Sequence, residues 1–428
     1  MRTIIKDLLI LPMNERGKII NGDIVIEDGK IKEVGVKAEK KESDRVIDGY
    51  NHVALPSFIN AHTHLSMVLM RNYKDTAPDL MSWLSEIFPI EDKLNEDDIY
   101  EASKLGCAEL IKSGCTCYAD MYFKAWKTVK ATKEAGIRGI IGQTFFGELN
   151  DTEKRIKELY PRVRDEIAGD DRFRVDAAVH SIYTCSAETY KRAYEWALEI
   201  GGFMNTHLAE TKTELDGCLK AHGVRPAEYL EKLGVFIDGK TYLAHGVWLS
   251  DSELEIIKRH NASIVHNPSS NCKLASGIAN IHHYIDSGIN VALGTDGASS
   301  NNNLNMLKEA NIAALLATVS NMSPSAVPPY DILALGTINA ARALGLDDKI
   351  GTIEVGKEAD ITLFNIDDVN TTPFNDPYSG IVFSADRANI DYVFSKGEAV
   401  LEKGELTKLD EEEIKYNTKR QWENILRR

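Results

Sequence analysis

The triplet His62-Thr63-His64 carries the most direct chemical consequence in this chain. On an extended strand alternate side chains share a face, so both imidazoles can reach one ion. Other polar residues end comparable apolar runs. His180 follows VDAAV, His207 follows GFMNT with Glu210 three residues on, His245 follows TYLA, and Asp296 follows VALGT. His207 can add a third nitrogen and Asp296 an oxygen. Three imidazoles and a carboxylate suit one divalent ion, Zn²⁺ first, with Fe²⁺ or Mn²⁺ admitted by the same ligand types. A single H-x-H reads more simply as a pair of core or surface histidines; four such positions at the strand ends of one unit point to a metal.

A bound divalent ion makes hydroxide available near neutral pH. That nucleophile needs an electrophilic carbon and a group that manages protons. The H-x-x-E spacing places Glu210 to take a proton and deliver it to a ring nitrogen, which makes the adjacent carbon more electrophilic. The competing reading of Glu210 is a helix N-terminal charge facing the dipole. His245 is placed to orient the nucleophile or to stabilise developing charge, and Asp296 to shuttle a proton to departing ammonia.

These residues need a scaffold that gathers strand ends. Eight short apolar segments recur between Ser57 and Gly297: SFINAHTH, TCYADMY, IRGIIGQTFF, RVDAAVHSIY, GFMNTHLAE, TYLAHGVW, SIVHNPSS and NVALGTDG. Helix signals lie between them. Asn95 can cap a helix with apolar positions at Ile99, Ala102, Leu105 and Ala108, with Gly114 at its end; Ser250 and Glu253 form a capping box; and Gly201-Gly202 close an amphipathic run. Eight strands alternating with helices predict a (β/α)₈ barrel, whose functional residues sit at the carboxyl ends of the strands. Outside it, LLILP, GDIVIEDGKIKEVG and RVIDGYNHVALP read as a small antiparallel sheet, with Asn21-Gly22 and Asp28-Gly29 as tight turns. The strand pattern returns from Gly351, and the tail DEEEIKYNTKRQWENILRR reads as a polar helix. The expected organisation is a barrel over 57–350 and one composite β-sandwich domain from 1–56 and 351–428.

The chain has 428 residues, 43% hydrophobic, and a formal net charge of −15. That charge disfavours nucleic acid or an anionic membrane as partner and favours a neutral or zwitterionic small molecule. No apolar run is long enough to span a bilayer. The N-terminal stretch is broken by Lys6 and Asp7 and lacks a signal-peptide layout, so a cytoplasmic protein is expected, with homo-oligomerisation left open. Six cysteines show no paired framework, and Cys115 and Cys117 read as buried, inert thiols.

The segments PSFINAHTHLS, NTHLAE, YLAHG and GTDG resemble motifs of the amidohydrolase superfamily, which implies a (β/α)₈ barrel flanked by a β-sandwich from both termini. Three longer segments are similar to 5-methylthioadenosine/S-adenosylhomocysteine deaminases, including 5′-deoxyadenosine deaminases. They are DLMSWLSEIFPIEDKL, HNPSSNCKLASGIA and GTDGASSNNNLNMLKEA. The resemblance implies metal ligation by His62, His64, His207 and Asp296, substrate contacts from Glu91 and His180, and Glu210 and His245 beside the reacting carbon. Glu91, read in a loop after Pro89, is placed to accept bonds from ribose hydroxyls; its other reading is a solvated charge in an acidic run. Trp83 packs on the nucleoside or on the barrel rim. Members acting on a homocysteinyl substrate are expected to hold its carboxylate with arginines. Arg155 stands near one such position, but the other falls on Gln143, which cannot form an ion pair. The expected reaction is hydrolytic deamination of 5′-deoxyadenosine, methylthioadenosine, adenosine or, less securely, S-adenosylhomocysteine. The competing readings are a guanine or cytosine deaminase, an s-triazine chlorohydrolase, or a metal-free scaffold.

Overall fold

A computed structural model describes residues 2–428. All eight expected barrel strands are present: Phe58–Thr63, Cys115–Tyr122, Arg138–Phe145, Phe173–Val179, Met204–Leu208, Thr241–His245, Ser263–His266 and Asn290–Leu293. They pair in chain order and in parallel. Their apolar runs follow from burial on both faces: every residue of Cys115–Tyr122 and Arg138–Phe145 is buried. The ring closes through specific bonds between the first and eighth strand ends. Asn60 Nδ2 donates to Thr295 Oγ1 at 2.7 Å, and the His62 carbonyl accepts from Thr295 N and Asp296 N at 3.1 and 3.0 Å. The closure therefore brings His62 and Asp296 side by side.

The helix signals are realised. Asn95 accepts from Asp97 N and Asp98 N and heads Glu96–Ile111, with Asp98 reciprocating in a capping box. Ser250 and Glu253 cap Asp251–Arg259 in the same way. Glu91 departs from its expected setting, since it ends the helix Leu80–Glu91 rather than lying in a loop. Pro89 sits within that helix and removes one backbone bond from its last turn. Burial of Leu80, Trp83, Leu84, Ile87 and Ile90 along one side holds the helix together.

Both termini build a nine-stranded sheet. Its path runs from the C-terminal strands Glu405–Leu406, Glu398–Glu402, Ile390–Ser395 and Ile361–Asn365 into His52–Pro56, Arg2–Ile10, Ile20–Glu27 and Lys30–Val36, and Arg45–Asp48 also pairs with Arg2–Ile10. Ile5, Ile24, Ile361 and Phe394 meet in its separate core. The N-terminal part is mixed rather than antiparallel. Arg2–Ile10 runs parallel to both Arg45–Asp48 and His52–Pro56, because the chain crosses back over residues 37–44 before re-entering the sheet. Asp28-Gly29 makes the expected turn, with φ of +51° and +77°. Asn21-Gly22 instead lies inside Ile20–Glu27, the reversal being made by residues 11–19. The tail helix Glu411–Arg427 lies against the barrel: Lys112 pairs with Glu411, Arg428 with Asp98, and the rings of Tyr73 and Trp422 are 5.4 Å apart.

Barrel and sheet are joined by a buried ionic cluster. Arg138 Nε meets Asp360 Oδ2 at 3.2 Å and its guanidinium also pairs with Glu358, while Asp360 accepts from Thr116 Oγ1 at 2.8 Å and Lys396 N at 2.8 Å. Arg138 is only 3% exposed. Arg138→Ala should therefore leave two carboxylates stranded and cost about 3–5 kcal/mol. Denaturant unfolding should show this as a lowered midpoint, and an unchanged midpoint would contradict it.

Candidate metal centre and adjoining cavity

The strand ends converge as the sequence requires. His207 Nε2 lies 3.1 Å from His62 Nε2 and 3.3 Å from His64 Nε2. Asp296 Oδ1 lies 3.1 Å from His64 Nε2 and 3.5 Å from His62 Nε2. Donors held at roughly 2.1 Å from one ion stand about 3.0–3.4 Å apart, so this closed circuit of contacts matches a single cation. His245 belongs to the same neighbourhood: ligand atoms of His62, His207, His245 and Asp296 all lie within 4.8 Å of one another.

Outer hydrogen bonds fix which nitrogen faces inward. His64 Nδ1 donates to the Met121 carbonyl at 2.6 Å, His207 Nδ1 to the His180 carbonyl at 2.7 Å, and His245 Nδ1 to Asn271 Oδ1 at 2.8 Å. Each neutral ring then turns an Nε2 lone pair to the centre, the arrangement in which second partners orient metal-binding imidazoles. Asp296 Oδ2 accepts from Ser270 Oγ at 2.6 Å and Ser300 Oγ at 2.7 Å, which leaves Oδ1 for the cluster. The donor set and its supports fit a divalent metal ion. Burial pulls His62 down to about 4 and His207 well below the ordinary histidine value. At His64 the pull of burial is overcome by Asp296, which pushes it up to about 9.

Local backbone conformation aims these groups. Ala209, His245 and Asp296 adopt φ of +50°, +74° and +58°. Such conformations cost non-glycine residues about 1–3 kcal/mol each and gather at functional sites. A cavity opens from the cluster, with His64, His207, His245, Asp296, Glu210 and His180 at its polar end. Trp83, Leu84, Phe88 and Glu91 of a single helix form an opposite wall. Glu210 Oε1 accepts from Ser276 Oγ at 3.1 Å, and its Oε2 lies 3.8 Å from His245 Nε2. Burial raises its carboxyl above the usual range. Glu91 is likewise raised by burial, and its Oε1 accepts from Tyr122 Oη at 2.7 Å. His180 stays neutral, pulled down to about 3 by burial, with Nδ1 2.8 Å from Thr184 Oγ1.

Arg155 is not in this cavity. It lines an adjoining open cleft together with Lys124, and Phe88, Glu91, Phe123 and Phe146 are shared by both spaces. Gln143 is buried on Arg138–Phe145 and lines neither space; its neighbour Thr144 faces the cavity, so strand alternation sends Gln143 to the other side. Sequence reasoning gave no role to Ser270, Asn271, Ser276, Ser300 or Tyr122. All but Tyr122 lie within the longer segments already singled out, at positions that segment similarity alone does not translate into partners. Cys115 and Cys117 are buried, and burial pushes the Cys115 thiol up to about 12.

A family model described as "Amidohydrolase family" matches residues 53–400. The chain is 40% identical to a 5-methylthioadenosine/S-adenosylhomocysteine deaminase of Thermoanaerobacter pseudethanolicus, over 100% of both chains. It is 42% identical to a 5′-deoxyadenosine deaminase of Methanobrevibacter smithii, covering 96% of this chain and 95% of that one. Among solved structures, an adenosine deaminase from Xanthomonas campestris with bound zinc superposes with a TM-score of 0.93 at 28% identity, covering 99% of this chain and 98% of that one.

If the cluster binds as its geometry indicates, purified protein supplied with zinc should carry one ion per chain by elemental analysis. His64→Ala should lose that ion, and retained full occupancy would remove His64 from the donor set.

Proposed function

The chain belongs to the amidohydrolase family, and within it to the methylthioadenosine/S-adenosylhomocysteine and 5′-deoxyadenosine deaminases; from that membership we propose that it hydrolyses the exocyclic amino group of adenine-type nucleosides to the inosine analogue and ammonia. The observation that carries this reading is the placement of Glu210. It is a buried carboxyl, raised above its ordinary range, on the cavity wall beside His245 and the metal donors. Deamination needs such a proton carrier, because protonation of a ring nitrogen makes the amino-bearing carbon of a purine more electrophilic.

His62, His64, His207 and Asp296 would hold the divalent ion, which when bound would supply a water ionised near neutral pH. Glu210 then transfers a proton to the ring nitrogen beside the amino-bearing carbon. His245, its Nδ1–H committed to Asn271, offers Nε2 to the attacking oxygen and directs it. Asp296 takes up the proton that the attacking water gives up and passes it to the departing amine, which leaves as ammonia. Across the cavity, the Tyr122 bond occupies one oxygen of Glu91 and leaves the other for ribose hydroxyls. His180 stands between sugar and base, and Trp83 walls the nucleoside from solvent.

The adjoining cleft extends the substrate range. Lys124 and Arg155 line it, both half-buried, and among the described residues neither forms an ion pair. Arg155 makes only a cation–π contact with Phe123 at 5.4 Å. Glu91 and Asp92 also line the cleft, but neither cation is committed to a carboxylate at ion-pair distance, so both are free to take an anionic ligand. A 5′ arm running past Glu91 would reach them, so Lys124 offers the second cation that Gln143 does not. Nucleosides whose 5′ arm ends in a carboxylate, S-adenosylhomocysteine among them, are therefore included in the proposed range.

Loss of adenine absorbance with the zinc-loaded protein on a nucleoside panel tests the reading, and an unchanged spectrum across the panel would reject it. Glu210→Gln should keep its metal and lose kcat by at least about 100-fold, since an amide relays no proton; near-normal kcat would refute the role. Lys124→Ala should raise KM about tenfold for S-adenosylhomocysteine and leave 5′-deoxyadenosine unaffected. Equal effects on both substrates would take Lys124 out of the 5′ subsite.

A further inference from the structure

Thr211 and Glu214 have the spacing of a capping box at the start of the helix Lys212–His222, and half of one is present: Thr211 Oγ1 accepts from Glu214 N at 3.1 Å. In a capping box the acidic residue returns to the backbone N–H of the cap itself. Among the described residues, the three other boxes with an acidic residue at this position do so. Asp98 accepts from Asn95 N at 2.7 Å, Glu228 from Arg225 N at 3.0 Å, and Glu253 from Ser250 N at 3.0 Å. Glu214 instead reaches past its cap. Its two oxygens accept from Ala209 N at 2.9 Å and Glu210 N at 2.8 Å.

Those two N–H groups belong to the turn that aims Glu210. Ala209 is held there at φ +50°. On the other side of the same turn, the Ala209 carbonyl accepts from Val247 N at 3.0 Å and Trp248 N at 2.9 Å, and the Leu208 carbonyl from Gly246 N at 3.0 Å. Gly246, Val247 and Trp248 directly follow His245. The strained peptide is thus gripped by Glu214 through its N–H groups and by the His245 turn through its carbonyls. Glu214 is 5% exposed, and among the described residues no cation pairs with it. A buried carboxylate satisfied mainly by backbone is a costly way to start a helix that Thr211 already caps.

We propose that Glu214 is a positioning residue for the deamination, clamping the Ala209–Glu210 backbone so that the Glu210 carboxyl stands at its working distance from His245. The proposal rests on the function assigned above. It predicts an effect on turnover rather than on metal or substrate binding, because Glu214 touches neither.

The test uses the zinc-loaded full-length chain and steady-state kinetics on 5′-deoxyadenosine. Glu214→Gln keeps the size of the side chain but sets an amide N–H against one of the two backbone donors. It should lower kcat by about 100-fold, the scale of a displacement near 1 Å, with KM within about twofold and one zinc retained per chain. In a Glu210→Gln background the same change should lower kcat no further. Thr211→Val, which removes the cap but leaves the clamp, should lower Tm and spare kcat. Glu214→Asp, which keeps both acceptor oxygens on a shorter arm, should fall between wild type and Glu214→Gln, and it carries the test should Glu214→Gln not fold. The proposal is overturned if kcat of the Glu214 variants stays within twofold of wild type, if their loss recurs in full on Glu210→Gln, or if Thr211→Val reproduces it. A wild-type enzyme that turns over while the Glu214 variants match it sinks this inference alone; a wild type inert on every nucleoside sinks the functional reading beneath it.

Discussion

Three imidazole lone pairs and a carboxylate oxygen, turned toward one point in the closed end of a barrel, cannot be left to themselves. Acceptors behind them turn two of these rings inward, the Met121 carbonyl behind His64 and the His180 carbonyl behind His207, and Asn271 Oδ1 does the same for the neighbouring His245. Each acceptor removes the option of rotating the proton to the inner nitrogen. The result is a buried concentration of electron density that a divalent cation neutralises. Because the donors come from the first, fifth and eighth strands, the ion also ties together the two ends of the sheet where the ring closes. Binding energy at such a centre is in part folding energy. The closure bonds from the His62 carbonyl to Thr295 N and Asp296 N show the same coupling from the protein's side.

That constraint divides the cavity. One end is charged, polar and fixed by bonds to strand ends. The other is walled by a single helix, Leu80–Glu91, inserted between the first strand and the helix that follows it. The insertion supplies apolar surface to the cavity and also carries Glu91. In the proposed reaction, gripping the sugar would fall to this one element, while polarising water and moving protons would belong to the barrel.

Much of this was legible without coordinates. The period-two spacing of His62 and His64, the recurrence of apolar runs ending in His or Asp, and the capping signals at Asn95 and Ser250 are local properties that survive folding unchanged. All eight barrel strands follow from them. The misreadings have equally physical causes. Glu91 reads as a loop residue after Pro89 because the missing N–H of proline is a local cost, whereas the apolar side of Leu80–Glu91 that outweighs it becomes visible only when buried. Asn21-Gly22 looked like a turn because its conformational freedom is real; here it serves an irregular strand, with Gly22 packed against Gly35. Parallel pairing of the first strand depends on where a crossover lands, which no local pattern encodes.

The specificity residues show the deeper limit. Gln143 was singled out because it aligned with an expected arginine, and a cation was sought there. On a strand, however, one step along the chain is a change of face, and the cavity belongs to Thr144. The cation stands one strand earlier, on Lys124, at φ +52° where the strand Cys115–Tyr122 gives way to its helix. A left-handed lysine at a helix start has no sequence signature, and its link to Arg155 across the cleft joins residues 31 positions apart by numbering. Catalytic groups are readable because the metal imposes residue types and the barrel imposes places. A subsite for a flexible substrate arm imposes only a charge somewhere within reach, and many positions can meet that demand.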